Sequence, residues 1–304
     1  MFGSICFLVN LVLVIALIMT LATAFVAWVF RANHPRVGLL DDEPVAPNLT
    51  AILACGWQWL VLASQIFLFP VGLLNRNRPL VRGRRPIILV HGYGVNSAVW
   101  WYIKKHLRRD GQPNLVTVNL PTVKAGVPVC VQILAATVER VCAEAAVEQV
   151  DLVGHSLGGL VAASYLAGLG GAGSDPQARV HALVTIGSPF KGTVLAFLGM
   201  GPAARQMRPE SSYLKDFAEA WAAANRRAEA PTVTTTPAER STSLISSFDN
   251  LVIPFESALL PGARSEEFSY LGHDAMLVSH QVYAAVVQGL AAPDQKEAPL
   301  AKTA

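Results

Sequence analysis

Cysteine is scarce in this chain, with four in 304 residues, at positions 6, 55, 130 and 142. So few, so spaced, exclude a disulfide-stapled scaffold and match no metal-site spacing. Cys130 and Cys142 fall on one helical stretch, about 18 Å apart by helical rise, beyond the reach of a disulfide. Reduced, structural cysteines and no bound metal or cofactor are the expectation. Charge is scarce too: Asp, Glu, Lys and Arg make up 15% of the chain against 52% hydrophobic residues, and the formal net charge is only +3. That balance offers no basic surface for nucleic acid and points to membrane contact instead. No internal repeat is present.

The shortage of charge is most severe near the amino end. From Phe2 to Phe30 there is none, and at about 1.5 Å per residue this run exceeds the roughly 30 Å hydrocarbon core. A second uncharged run, Ala51 to Leu74, is also long enough, with Trp57 and Trp59 near one end as interfacial aromatics would be and Pro70 in its last turns. Ala22-Thr23-Ala24 resembles a signal-cleavage site, but no Lys or Arg precedes the first run and the run is longer than a signal core, so a retained helix is expected. The organisation is then a membrane helix over 1–30, a loop over 31–50, a second helix over 51–75 and a basic linker over 76–85. A soluble domain over 86–292 and a polar, disordered tail over 293–304 follow. Arg76, Arg78, Arg82, Arg84 and Arg85 follow the second span while Asp41, Asp42 and Glu43 lie between the spans, which places the large domain on the cytoplasmic side. The arginines serve equally as a lipid-headgroup contact or a solvated linker. Asn48-Leu49-Thr50 matters only if its loop faces a glycosylating compartment.

From Pro86 onward short apolar runs alternate with longer helical ones, the pattern of an α/β fold with a mostly parallel sheet flanked by helices. Strands are predicted at Ile87–Val90, Leu115–Leu120, Val150–Val153, Ala182–Ile186, Ser243–Ser247 and Glu267–Tyr270. Helices are predicted near Ala98–Arg109, Val127–Ala146, Leu157–Leu169 and Met276–Leu290. Between about 193 and 240 the rhythm breaks, which reads as a lid-like insertion over the site or a solvated excursion.

Chemistry concentrates at Val153-Gly154-His155-Ser156-Leu157-Gly158-Gly159-Leu160, a G-x-S-x-G core between an apolar strand and a small-residue helix. A serine at such a sharp turn is exposed as a nucleophile, and Gly154 and Gly158 are expected where a side chain would strike the neighbouring strand or helix. A serine hydroxyl needs a histidine to take its proton and an acid to orient that histidine, in the chain order serine, acid, histidine. Asp249 closes a predicted strand and is the preferred acid, with Asp216 in reserve. His273 follows the last predicted strand and is the preferred base over His280, whereas His91 and His155 are expected to shape backbone. The oxyanion donors are expected to be the backbone N–H groups of Leu157 and of Tyr93, the latter in His91-Gly92-Tyr93-Gly94 after the first strand.

These segments resemble the α/β-hydrolase superfamily, specifically its lipase and esterase branch that includes bacterial triacylglycerol lipases, over about Pro86 to Gly289. Thr185-Ile186-Gly187-Ser188-Pro189-Phe190-Lys191-Gly192-Thr193 resembles a segment such lipases write Gly-Thr-Pro-His-x-Gly-Thr, with serine and phenylalanine here replacing threonine and histidine. The resemblance implies the triad Ser156, Asp249 and His273. The two amino-terminal helices depart from the secreted members, and no carboxylate cluster suits the structural calcium some of them carry. The resulting expectation is a membrane-anchored serine hydrolase that cleaves carboxylic esters of lipid or another acyl group through an acyl-enzyme. The same triad would serve a thioesterase or acyltransferase, and an inactive membrane scaffold is the alternative from outside enzymology.

Overall fold

The computed structural model describes residues 2–33, 49–74, 77–170, 175–227 and 235–293. Its centre is a six-stranded sheet of β1 (Ile87–Val90), β2 (Leu115–Val118), β3 (Val150–His155), β4 (Val180–Ile186), β5 (Ser241–Ser246) and β6 (Arg264–Phe268). The strands lie in the order β2-β1-β3-β4-β5-β6 and every neighbouring pair is parallel. Because both faces of such a sheet are covered, β1 is buried along its whole length and reads Ile-Ile-Leu-Val without polar alternation. Successive side chains still point to opposite faces. Ile88 and Val90 pack with α4 (Val127–Ala145), α5 (Leu157–Leu166) and α8 (Ser212–Arg227), whereas Ile87 and Leu89 pack with α3 (Trp101–Arg109) and α9 (His280–Ala291). The outer strand β6 exposes Arg264, Ser265 and Glu266, charged and polar side chains that discourage edge-to-edge pairing.

Element boundaries depart from the sequence expectation for local reasons. The last strand runs Arg264–Phe268, not Glu267–Tyr270, because Tyr270 takes a left-handed φ of 57° and leaves the ladder. The helices expected from Ala98 and from Met276 each begin as a 3-10 turn, Ser97–Trp100 and Ala275–Val278. The first turn is capped by the Asn96 side chain, which accepts from Ala98 N (3.0 Å). After the second, Ser279 caps α9 by accepting from Val282 N (3.4 Å).

The region expected as one lid-like insertion divides in two. Its start, with a 3-10 turn at Val194–Phe197 and α7 (Gly201–Gln206), leaves Phe197, Leu198 and Met200 exposed. Its second half, α8, is a flanking helix whose Phe217 and Trp221 are buried in the core and whose Tyr213 hydroxyl donates to Ser164 Oγ (2.9 Å). The lid reading therefore does not extend to α8, where alanines and charges scattered around the apolar positions hid the buried stripe. Residues 228–234 of that region, Arg76, Asp41, Asp42, Glu43, Asn48 and the tail 294–304 lie outside the described residues.

At the amino end, α1 (Phe2–Asn33) and α2 (Leu49–Leu73) pack on one another, joined where Trp59 Nε1 donates to the Leu13 carbonyl (2.8 Å). Trp59 is thus a helix-pairing residue, although its position near a span end suggested an interfacial aromatic. Both helices are long and apolar enough to cross a membrane, with mean hydropathies of 2.6 and 1.7, and only 17% and 28% of their apolar stretches are buried. A single helical turn, α6 (Pro176–Arg179), capped by the Asp175 side chain, leads into β4. The linker arginine Arg85 donates to Asp151 on β3 (3.0 Å), which ties the start of the sheet domain to its central strand.

Candidate active site

The strand order reverses between β1 and β3: the chain leaves β1 for β2 on one side and returns to β3 on the other. Crevices open at the carboxyl ends of strands around such a switch point. The residues that follow β1 and β3 here are His91-Gly92-Tyr93-Gly94 and Ser156.

Ser156 sits between β3 and α5 with φ 54° and ψ −130°, a region that costs a non-glycine residue on the order of 1–3 kcal/mol. The surroundings hold it there. Its amide donates to Ile186 O (2.8 Å) on the adjacent strand, and its carbonyl accepts from Gly159 N (3.0 Å). A Cβ on Gly154 would lie 2.4 Å from Gly159 Cα, and one on Gly158 would lie 2.1 Å from Val90 O. Each glycine lets backbone meet backbone, the first against α5 and the second against β1. Gly158→Ala is accordingly expected to cost about 3 kcal/mol or more, roughly 6–12 °C in Tm, and an unchanged melting curve would contradict this packing.

The loop after β1 runs against the serine, since a Cβ on Gly92 would stand 2.9 Å from Ser156 Cβ. Buried His91 anchors that loop. Its Nε2 accepts from Leu120 N (2.9 Å), so Nδ1 carries the proton and donates to Gly92 O (2.8 Å). Burial lowers the His91 pKa to about 4, with the Gly92 hydrogen bond opposing, and the ring stays neutral. Gly94 holds a φ of +70° that favours glycine, and its amide donates to Thr122 Oγ1 (3.0 Å). Among the described residues, neither the Tyr93 nor the Leu157 amide has a hydrogen-bond acceptor. The Tyr93 hydroxyl is tied to the backbone of Met200, which brings the start of the 193–240 region over the loop.

On the far side of Ile186-Gly187 lies the Asp249–His273 pair. Asp249 Oδ2 accepts from His273 Nδ1 (2.8 Å), while Oδ1 accepts from the amides of Leu251 and Val252 (2.8 Å each). Both side chains are 2% exposed, which leaves the pair shielded from water. Burial opposes a charge on His273, but the carboxylate of Asp249, its hydrogen bond and the nearby Asp274 outweigh it, so the imidazole pKa is raised. A Cβ on Gly187 would fall 3.0 Å from Asp249 Oδ2 and 3.2 Å from His273 Nδ1, so the residue after the one that holds Ser156 N also touches the pair. His155, next to the serine, packs against His273 with ring centroids 4.5 Å apart and planes tilted by 42°, and its Nε2 lies 3.3 Å from His273 O. Burial, then the charge of His273, hold the His155 pKa well below the ordinary value.

The other candidates stand apart. Asp216 is exposed on α8. His280 is exposed at the start of α9, with the rings of His106 and Tyr283 beside it. Sequence reasoning passed over several residues that build the site. Thr193 Oγ1 donates to Leu251 O (2.7 Å) and accepts from Ile253 N (3.1 Å), fixing the loop after Asp249. Asn250 Oδ1 accepts from His273 N (3.1 Å). Thr193 lies inside the segment recognised for its likeness to lipases; Asn250 had no sequence signal beyond adjacency to Asp249. Among the described residues no cluster of three or more His, Cys, Asp or Glu side chains is arranged to hold a metal.

A family model described as the alpha/beta hydrolase fold matches residues 85–258, more than half of the chain. The chain belongs to the α/β-hydrolase fold family. The hydrolase domain is similar to Bacillus licheniformis lipase BlEst2, with a TM-score of 0.55 and 17% identity over 71% of this chain and 95% of that one. It is also similar to Aspergillus fumigatus lipase B, with a TM-score of 0.54 and 19% identity over 69% of this chain, and spans 53% of that lipase. A third likeness, to the lin2722 product of Listeria innocua, has a TM-score of 0.50 and 17% identity over 68% of this chain and 94% of that one. At these identities the likeness is one of fold. No curated protein matches the chain significantly.

Between the hydrolase domain and the amino-terminal helices lies a cavity of about 280 Å³. Thr20, Ala24 and Phe25 of α1 and Cys55 of α2 face Phe248 and Gly272 across it. The neighbours of Asp249 and His273 in sequence therefore form one wall, and the two apolar helices the other.

Proposed function

We propose that this protein is a membrane-anchored serine hydrolase that cleaves carboxylic esters of lipids through an acyl-enzyme. The observation that carries this reading is the convergence, around Ile186-Gly187, of a strained serine at the turn out of β3 and a water-shielded aspartate–histidine pair. With Nδ1 engaged by Asp249, the unprotonated Nε2 of His273 takes the proton as Ser156 Oγ adds to the ester carbonyl. The amides of Leu157 and Tyr93 receive the oxyanion. Collapse of the tetrahedral adduct breaks the ester bond, and the imidazolium returns its proton to the departing alkoxide. Water, deprotonated by the same nitrogen, then releases the carboxylic acid and restores Ser156.

Two observations favour a lipid substrate and membrane anchorage. The helices α1 and α2 leave Phe7, Ile18, Phe25, Ile52 and Leu53 more than half exposed, an apolar surface far larger than soluble proteins tolerate. The cavity beside the base loop is lined mainly by carbon and is near the lower end of the range for ligand pockets, about 300–1,000 Å³, a size suited to one alkyl segment.

The deciding experiment is labelling of the purified full-length protein in detergent with a fluorophosphonate, followed by peptide mapping. Stoichiometric modification of Ser156 is expected; a folded protein that reacts nowhere, or at another serine, would end this reading. For the cavity, Ala24→Phe is expected to lower kcat/KM for long-chain esters about tenfold relative to acetate esters, the effect of roughly 1.4 kcal/mol of lost apolar contact. An unchanged ratio across chain lengths would remove the cavity from the substrate path.

A further inference from the structure

The helix α2 carries two carboxamides, Gln58 and Gln65, on a mainly apolar surface, and both are buried. A polar side chain in a membrane-crossing segment is costly unless it faces protein partners. These two are seven residues apart, two turns on one face, in register with buried Ala51 and with Gly72. That stripe is the docking face of α2 on the hydrolase domain.

At its centre, Gln58 grips the loop that bears His273. Its Nε2 donates to Asp274 Oδ2 (2.7 Å), its Oε1 accepts from Ala275 N (2.9 Å), and it lies so near Gly272 that a Cβ there would stand 2.5 Å from Oε1. Gln65, also buried, lies close enough to Asp274 to favour its charged form. Residues 272, 274 and 275 flank His273 in sequence, so the carboxamide bonds the loop after the imidazole and packs against the residue before it. From α1, Thr23 Oγ1 accepts from Asn250 Nδ2 (2.7 Å), the same side chain whose oxygen accepts from His273 N. At the far end of the stripe, Phe69 O accepts from Asn96 Nδ2 (2.8 Å) and Gly72 O accepts from Ser97 Oγ (3.0 Å). Those residues follow the His91–Gly94 loop. One helix face thus ties together the loops on both sides of Ser156.

We propose that Gln58 is a positioning residue for the base, so that the helix pair is a working part of the active site and not only a tether. This rests on the reading of His273 as the base. Removing the carboxamide frees the 272–275 loop and lets the imidazole drift from its alignment, which slows chemistry without weakening substrate capture.

The test uses the full-length protein in detergent, comparing wild type with Q58L, Q58E, the reciprocal pair Q58E/D274N, W59F and H273A. Substrate is a soluble short-chain p-nitrophenyl ester, with fluorophosphonate labelling rate as a second measure. Q58L is expected to lower kcat and labelling rate at least tenfold with KM within twofold. Q58E places a carboxylate against Asp274 and is expected to lose as much. Q58E/D274N reverses donor and acceptor and keeps the net charge of the pair, moved from residue 274 to residue 58, and is expected to recover to within threefold of wild type. W59F removes a bond of the same helix to α1 only, and is expected to keep its activity within twofold. Wild-type kcat in folded Q58L, or equal losses in Q58L and W59F, would overturn the proposal while leaving the triad standing. If H273A reacts as fast as wild type, the base assignment itself falls and this inference with it. Should Q58L not fold, recovery by Q58E/D274N over Q58E supports the proposal and the lack of recovery overturns it.

Discussion

Alanine at Ser156 or at His273 is expected to lower kcat for ester hydrolysis by about 10⁴- to 10⁶-fold, and the double variant to be no slower than either single one. Groups that act as one unit lose their joint contribution when any one is removed, so the losses do not add. The structure supplies the physical basis: His273 is held at Nδ1 by a buried carboxylate, and Ser156 at a strained turn that Ile186 stabilises. His280→Ala is the matched control. That ring is exposed and packs beside His106 and Tyr283, so its loss is expected to leave kcat within about twofold. Steady-state hydrolysis of a p-nitrophenyl ester separates these outcomes, and the opposite ranking of His273 and His280 would overturn the assignment of the base.

Asp249→Asn is expected to reduce kcat about 10³- to 10⁴-fold while the protein stays folded and KM changes little, because an amide can hold the imidazole in the wrong tautomer. The pH profile gives an independent reading. His273 must be neutral to accept a proton, and the attraction of Asp249 raises its pKa against the opposing effect of burial. In the wild type kcat/KM should therefore fall as pH drops through a midpoint above the ordinary histidine value of about 6.5. Without the carboxylate charge, burial dominates and the residual activity of Asp249→Asn should keep its plateau to lower pH. An acid limb that does not move would show that the titrating group is not the histidine beside Asp249.

Much of this site was legible in residue order because local rules govern it. The G-x-S-x-G turn demands small residues at 154 and 158, and the structure has backbone pressed against both. The alternation of apolar runs with helical segments announces a parallel sheet, and the carboxyl ends of its strands are where Asp249 and His273 fall. The strand before His273 was displaced in the sequence reading because Tyr270 looks like a strand residue and only its backbone angle shows that it is not. Likewise α8 read as part of an insertion, since burial of Phe217 and Trp221 depends on the α5 face they meet and not on their neighbours in the chain.

By itself, the sequence determined the α/β architecture, the serine turn and the presence of two helices long and apolar enough for a bilayer, because turn sterics, periodicity and hydropathy are properties of contiguous residues. Tertiary structure alone decided how those helices meet the hydrolase domain. Gln58 and Asp274 are 216 positions apart and Thr23 and Asn250 are 227 apart. No local pattern encodes such pairings; they exist because buried polar groups must find partners, and the fold brings these partners together beside His273.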